Sequence, residues 1–294
     1  MSLYKRQEKL SSVYEKEIEP VWSDKFGNLI LRKLQLPSSK GMLLDVACRA
    51  GQLSYEIIKK HPDGIRIIAI DPSSLFLNLA RKRVGSFSGS KIFFRTEDPM
   101  NGLSFADEVY DVTFCNLAIT EFKDPTLSIS EFSRVTKPNG QVLFTLPLRG
   151  TWMEIFDIFR EVLTKIDEYD ILGRVDTYEK ENFPEADEVK VWAENAGLQN
   201  ITIETERFEL LFKSAREFFY SPVVEFGPLD DWKKFIPDRV LLKKVFKDIE
   251  NSIDTLFKGM VFPVTVEAAC ISGFKPEEEE IFLDDDDIEI TVEE

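Results

Sequence analysis

Between residues 40 and 147, short apolar runs alternate with stretches whose apolar positions recur every three to four residues. The runs MLLDVA (42–47), IRIIAI (65–70), KIFFR (91–95), YDVTFCNLAI (110–119) and QVLFTLP (141–147) read as strands. Their lack of in–out alternation suits strands buried on both faces. GQLSYEIIKKH (51–61), SSLFLNLARKRV (73–84) and TLSISEFSRV (126–135) read as the helices between them, with KPNG (137–140) as a turn that stops the third. Further on, the pattern predicts helices at 152–166, 186–196, 214–225 and 239–257 and strands at 201–212 and 261–272, with a polar connection at 167–185. Residues 1–34 read as one or two helices laid over the sheet.

Short connections between strand and helix favour right-handed crossovers and a parallel sheet covered on both faces. The expectation is an α/β, doubly wound, mostly parallel seven-stranded sheet, with helical additions at the N-terminus and between the last strands. Residues 1–39 form the N-terminal cover, 40–275 the domain with an aromatic-rich part at 208–260, and 276–294 an acidic tail.

Composition narrows the functional classes. No apolar run reaches the roughly 18 residues of a membrane helix, and MSLYKRQEKL is too polar for a signal peptide, so a cytoplasmic protein is the expectation. Cys48, Cys115 and Cys270 form no CxxC pair, and the single histidine, His61, argues against histidine metal sites and a Ser-His-Asp triad. The net charge of −16 is concentrated: residues 276–294 hold eleven acids and no Lys or Arg, which leaves the body at −5. Nothing resembles the basic stripe of a nucleic-acid binder. The tail is expected to be solvated, disordered and dispensable for folding, although Ile288, Ile290 and Val292 alternate as in a segment that adds to a protein partner's sheet edge.

LLDVACRAGQLS (43–54) places a strand, a tight turn and a helix start in succession, where a doubly wound fold binds its nucleotide. Asp71 ends the next strand in IIAIDPS, about 20 residues after Gly51, where a carboxylate can accept both hydroxyl protons of a ribose. With RTEDP, the approach LSFADEVYDVTFCNLAI (103–119), the block FKDPTLSISEFSRVTKPNGQVLFTLP (122–147) and WAENAGLQNITIE (192–204), the chain resembles the class I S-adenosylmethionine (SAM)-dependent methyltransferases of small molecules and lipids. The resemblance covers roughly 40–275. It implies SAM as cofactor, S-adenosylhomocysteine as product and a small-molecule acceptor as partner. Matched by position, it implies donor-side roles for Asp45, Ala47, Arg49 and Gly51 in the loop, Asp71 and Pro72 at the ribose, Asp98 at the adenine, and Asn116 and Leu117 at the fourth strand's end. No catalytic residue is implied; Glu121, Tyr14 and Tyr220 are candidates if a base is needed.

Arg49 departs from the pattern, because the family has glycine there. Two unit charges about 5 Å apart repel by roughly 3 kcal/mol at an effective dielectric of 20, and the donor's sulfonium is cationic. The alternative is therefore a degenerate methyltransferase-like binding or scaffolding protein. A nicotinamide oxidoreductase would want an intact GxGxxG turn, which Arg49 also interrupts. The aromatic residues of 208–262 line an acceptor pocket or simply pack the added helices.

Overall fold

A computed structural model describes residues 3–277; the acidic segment, with its expected disorder and partner role, falls almost wholly outside them. The chain opens with α1 (Leu3–Val13), a π-helical turn (Tyr14–Ile18) and α2 (Ser23–Lys33). There follow β1 (Gly41–Val46), α3 (Gln52–Lys60), β2 (Ile65–Asp71), α4 (Ser74–Val84), β3 (Ile92–Thr96), β4 (Tyr110–Asn116), α5 (Pro125–Val135) and β5 (Thr136–Pro147). Next come α6 (Met153–Lys165), α7 (Tyr169–Asn182), α8 (Ala186–Asn195) and β6 (Gln199–Phe212). Four further helices, α9 (Ala215–Tyr220), α10 (Pro222–Glu225), α11 (Leu229–Lys234) and α12 (Arg239–Leu256), precede β7 (Phe262–Phe274).

The strands form one seven-stranded sheet in the order β3-β2-β1-β4-β5-β7-β6. β1 to β5 pair in parallel, and β7 runs antiparallel to both β5 and β6. Successive strand residues serve opposite faces. Leu43, Val112, Phe114 and Leu143 pack with Phe26 and Leu29 of α2, Ile57 of α3 and Phe156 of α6. Leu44, Val46, Cys115, Val142 and Phe144 pack with Phe132 of α5 and Val189 of α8. Both faces are covered, which is why the central strands are mostly apolar. No described helix is long and apolar enough to cross a membrane.

The helix read over 214–225 is two, α9 and α10, and α11 was not anticipated; two further elements differ from the sequence reading. KPNG is not a turn after the helix but part of β5: Thr136 pairs with Tyr110, and pairing resumes at Gln141 with Val112. The extra residues bulge out, with Asn139 at φ +61°. Asn139 donates its N–H to the Lys275 carbonyl, and Lys275 donates to Gly140 O. The polar stretch 167–185 folds as α7, buried only along Ile171 and Val175. Two of its acids, Asp176 and Glu179, bond Arg160 of α6, which also bonds Asp157 of its own helix.

The aromatic-rich region packs on itself and on α6. Trp232 is fully buried, with ring centroids 5.8 Å from Trp152, 6.0 Å from Phe218, 6.1 Å from Phe156 and 6.2 Å from Phe159. Such contacts at mostly edge-to-face angles add to plain burial.

The N-terminal cover is fastened by Arg83 of α4. Its guanidinium bonds both oxygens of Glu19, at 2.6 and 2.8 Å, and also Glu15 at 3.0 Å and the Ala50 carbonyl at 3.2 Å. Glu19 is 5% exposed, and burial, opposed by Arg83, raises its pKa. Removing one partner of a buried pair strands the other. Arg83→Met should cost about 3 kcal/mol in urea denaturation, and Arg83→Met/Glu19→Met should recover most of it. A single-variant cost below about 1 kcal/mol would mean the clamp contributes no more than a surface pair.

Candidate functional site

At the carboxyl end of β1 the chain turns sharply before α3. Ala47, Arg49 and Gly51 take positive φ of +57°, +47° and +70°. An L side chain costs roughly 1–2 kcal/mol in that left-handed region, so Ala47 and Arg49 are held there by the turn. The holding bonds are Cys48 N–H to Ile70 O, Gly51 N–H to Cys48 O and Arg49 N–H to Asp71 Oδ2, at 2.8–2.9 Å. Gly51 has a second reason to be glycine: a Cβ there would lie 2.9 Å from the Ala80 Cβ of α4.

Asp71, 4% exposed at the end of β2, accepts the Arg49 N–H on one oxygen and the Ser73 N–H on the other. One carboxylate thus shapes both turns at the top of the sheet. Burial raises its pKa, against those two bonds and the Arg49 charge. Asp45 lies beneath the loop, 2% exposed, and accepts the Ser54 hydroxyl at 2.6 Å. Burial, reinforced by Asp71, pushes its pKa up to about 7 although Ser54 opposes the shift.

The Arg49 side chain forms its ion pair within the protein. Its Nη2 is 2.5 Å from Oε1 of Glu121, and its Cζ lies 5.9 Å from the Tyr14 ring centre. The Tyr14 hydroxyl shares a 2.7 Å hydrogen bond with Ser23 of α2. At the end of β4, Asn116 donates to the Ser23 carbonyl and accepts from Thr145 Oγ1. Leu117, at φ +68°, donates its N–H to the same hydroxyl.

Two cavities meet here. One of about 140 Å³ is bordered by Asp45, Asn116, Ser23 and Gln52. The other, about 570 Å³, is bordered by Asp71, Pro72, Leu117 and Glu121 on one side and by Trp22, Trp152, Tyr178, Phe183 and Phe226 on the other. Tyr14, Ala47 and Arg49 border both.

The fold recurs in solved structures. Phosphoethanolamine N-methyltransferase 2 of Haemonchus contortus, in complex with phosphomonomethylethanolamine and S-adenosylhomocysteine, superposes with a TM-score of 0.51 at 15% identity, covering 85% of this chain and 52% of that one. Residues 44–144 match the methyltransferase domain family. These residues are a methyltransferase domain. The ubiquinone/menaquinone biosynthesis C-methyltransferase of Geobacter sulfurreducens is 28% identical over 126 residues, 42% of this chain and 49% of that protein. The malonyl-[acyl-carrier protein] O-methyltransferase of Halalkalibacterium halodurans is 29% identical over 118 residues, 40% and 43%. The chain thus spans about half the length of the curated relatives it matches.

Of the residues the sequence singled out, Asp45, Ala47, Arg49, Asp71, Pro72, Asn116 and Leu117 border these cavities, and Gly51 borders neither. Asp98 does not: it is exposed and caps the turn Pro99–Asn101 through the Met100 N–H. Tyr220, 70% exposed on α9, borders neither cavity, whereas Tyr14 and Glu121 both border the larger one. Trp22, Trp152 and Tyr178 escaped the sequence reading because they come from three separate helical regions. Of the phenylalanines between 201 and 262, Phe226 borders the larger cavity and the others pack elsewhere.

The residues present fit an adenosyl donor. Arg49 holds a left-handed backbone conformation of the kind glycine adopts freely, and its charge is matched by Glu121.

The Asp45 pKa of about 7 lies above the unfolded value near 4. The folded protein therefore keeps a proton that the unfolded chain releases, and the resulting stability is full below about pH 4 and lost as pH rises through about 7. Asp71, also raised, acts in the same direction. Relative to Asp45→Asn, the wild type should lose about 1.4 kcal/mol per pH unit in that window, measured by urea denaturation at pH 5, 6 and 7. Parallel stability curves would contradict the assignment.

Proposed function

We propose that the chain is a SAM-dependent methyltransferase acting on a small, apolar acceptor without a negative charge. The observation that carries this is the continuity of the 570 Å³ cavity, which joins the strand-end acid Asp71 to a wall of aromatic rings. When bound, SAM would supply a methyl group on a sulfonium, activated for in-line displacement. Ala47, Arg49, Asp71, Pro72 and Leu117 would hold it, with the ribose hydroxyls on the remaining lone pairs of Asp71. Trp22, Trp152, Tyr178, Phe183 and Phe226 would orient the acceptor and exclude water. Positioning of this kind contributes much of the rate in a bimolecular transfer.

The charge lining restricts the acceptor. Among the described residues bordering the cavity, Arg49 is the one cation, and Glu121 engages it. The others that bear charge are the acids Asp71, Glu121 and Asp231. A carboxylate-bearing acceptor, such as the malonyl group in the name of the Halalkalibacterium halodurans relative, would find no uncommitted cation here.

The alternative of a degenerate binding protein drew its support from Arg49. That support weakens because the arginine holds a left-handed backbone open to glycine and is ion-paired. Asp71→Ala should weaken S-adenosylhomocysteine binding in calorimetry by about 1–3 kcal/mol, roughly fivefold to a hundredfold. Asp98→Ala should leave it within about twofold. Unchanged affinity in Asp71→Ala, with the wild type binding, would remove Asp71 from the donor site; no binding by the wild type would overturn the proposal.

A further inference from the structure

The larger cavity also has polar groups to which the donor and the aromatic wall assign no role. Tyr178 and Asn182, one turn apart on α7, border it together with Asp231 of α11. Asn182 Nδ2 donates to the Tyr178 carbonyl at 2.9 Å, which leaves Oδ1 as the open atom of that amide. Burial, with the charge of Asp231 adding, raises the pKa of the Tyr178 hydroxyl, so the phenol stays neutral. Asp231 meets Lys234 of its own helix through Oδ1 at 2.6 Å. Both side chains of that pair are exposed, and such a pair contributes little.

The groups left open are therefore a carboxylate oxygen, an amide oxygen and a hydroxyl, all able to accept hydrogen bonds. A ligand group that answers them brings several N–H donors, and Asp231 favours one that is positively charged. The rings of Trp22 and Trp152, which border the same cavity, attract cations to their faces. Lys9 and Lys234 do not border it, and each is paired with an acid, Glu225 and Asp231. Asp71 and Glu121 are engaged by the Arg49 N–H and the Arg49 guanidinium, so Asp231 is the acid that remains for the acceptor.

We propose that the acceptor is an amine, with its apolar body on the aromatic wall and its ammonium group bound by Asp231, Asn182 and Tyr178. This deepens, and rests on, the reading of the larger cavity as the acceptor site of a methyltransferase. A protonated nitrogen has no lone pair, so in this pose the ammonium anchors the acceptor and the methyl group goes to another of its atoms. A neutral alcohol of the same shape would leave the Asp231 charge unanswered, and a carboxylate would be repelled by it.

Three probes with one apolar body separate these cases: phenylbutylamine, phenylbutanol and phenylbutyrate, titrated into the full chain at neutral pH with and without S-adenosylhomocysteine. The amine should bind at least about fivefold tighter than the alcohol, and the carboxylate more weakly than either. Asp231→Asn should weaken the amine at least about threefold and leave the alcohol unchanged. Asp231→Glu should restore the preference, and Lys234→Ala should keep it, which separates loss of the carboxylate from loss of the surface pair. Equal affinities for amine and alcohol, no binding of the amine, or an Asp231→Asn effect shared by both would overturn the proposal. If S-adenosylhomocysteine binds in those same titrations, the methyltransferase reading survives that failure. An amine preference in a protein that does not bind S-adenosylhomocysteine would instead overturn the methyltransferase reading and leave an amine site.

Discussion

The top of the sheet is organised by one carboxylate. Asp71 accepts the backbone N–H of Arg49 from the β1–α3 turn and that of Ser73 from the β2–α4 turn. These bonds fix the entries to two helices and hold Arg49 in the left-handed conformation. Because Asp71 is buried, it needs such donors to remain an acceptor. The same side chain borders the larger cavity, so turn geometry and ligand geometry cannot vary independently.

The second element is how a cation is accommodated at the proposed donor site. Arg49 keeps a glycine-like main chain, while its guanidinium reaches Glu121 and lies near the Tyr14 ring. Tyr14 belongs to the N-terminal cover, which Arg83 fastens to α4 and to the loop carbonyl of Ala50. The cover is therefore part of the site: its residues Tyr14, Ser23 and Trp22 contribute to the cavities.

Much of the fold was legible because buried parallel strands are continuous apolar runs and the helices between them bury one clear face. α7 was not, since its buried stripe is narrow and two of its acids are satisfied by Arg160, a partner on another helix. The β5 bulge hid behind Lys-Pro-Asn-Gly, residues that signal a turn with equal force. In the site, the loop and Asp71 follow from local order along the chain. The pairing of Arg49 with Glu121, 72 residues apart, has no local signature. Nor does the aromatic wall, drawn from rings at 22, 152, 178, 183 and 226. Asp98 shows the converse: motif spacing pointed to it, but its carboxylate is turned to a local cap.

The central claim is that Glu121 cancels the charge of Arg49 at the donor site. Calorimetry of SAM and S-adenosylhomocysteine on Glu121→Gln is the most direct measurement, since the two ligands differ in the sulfonium charge. With Arg49 left uncompensated, SAM affinity should fall about tenfold relative to S-adenosylhomocysteine, equivalent to ~1.4 kcal/mol. An affinity ratio equal to that of the wild type would contradict the account.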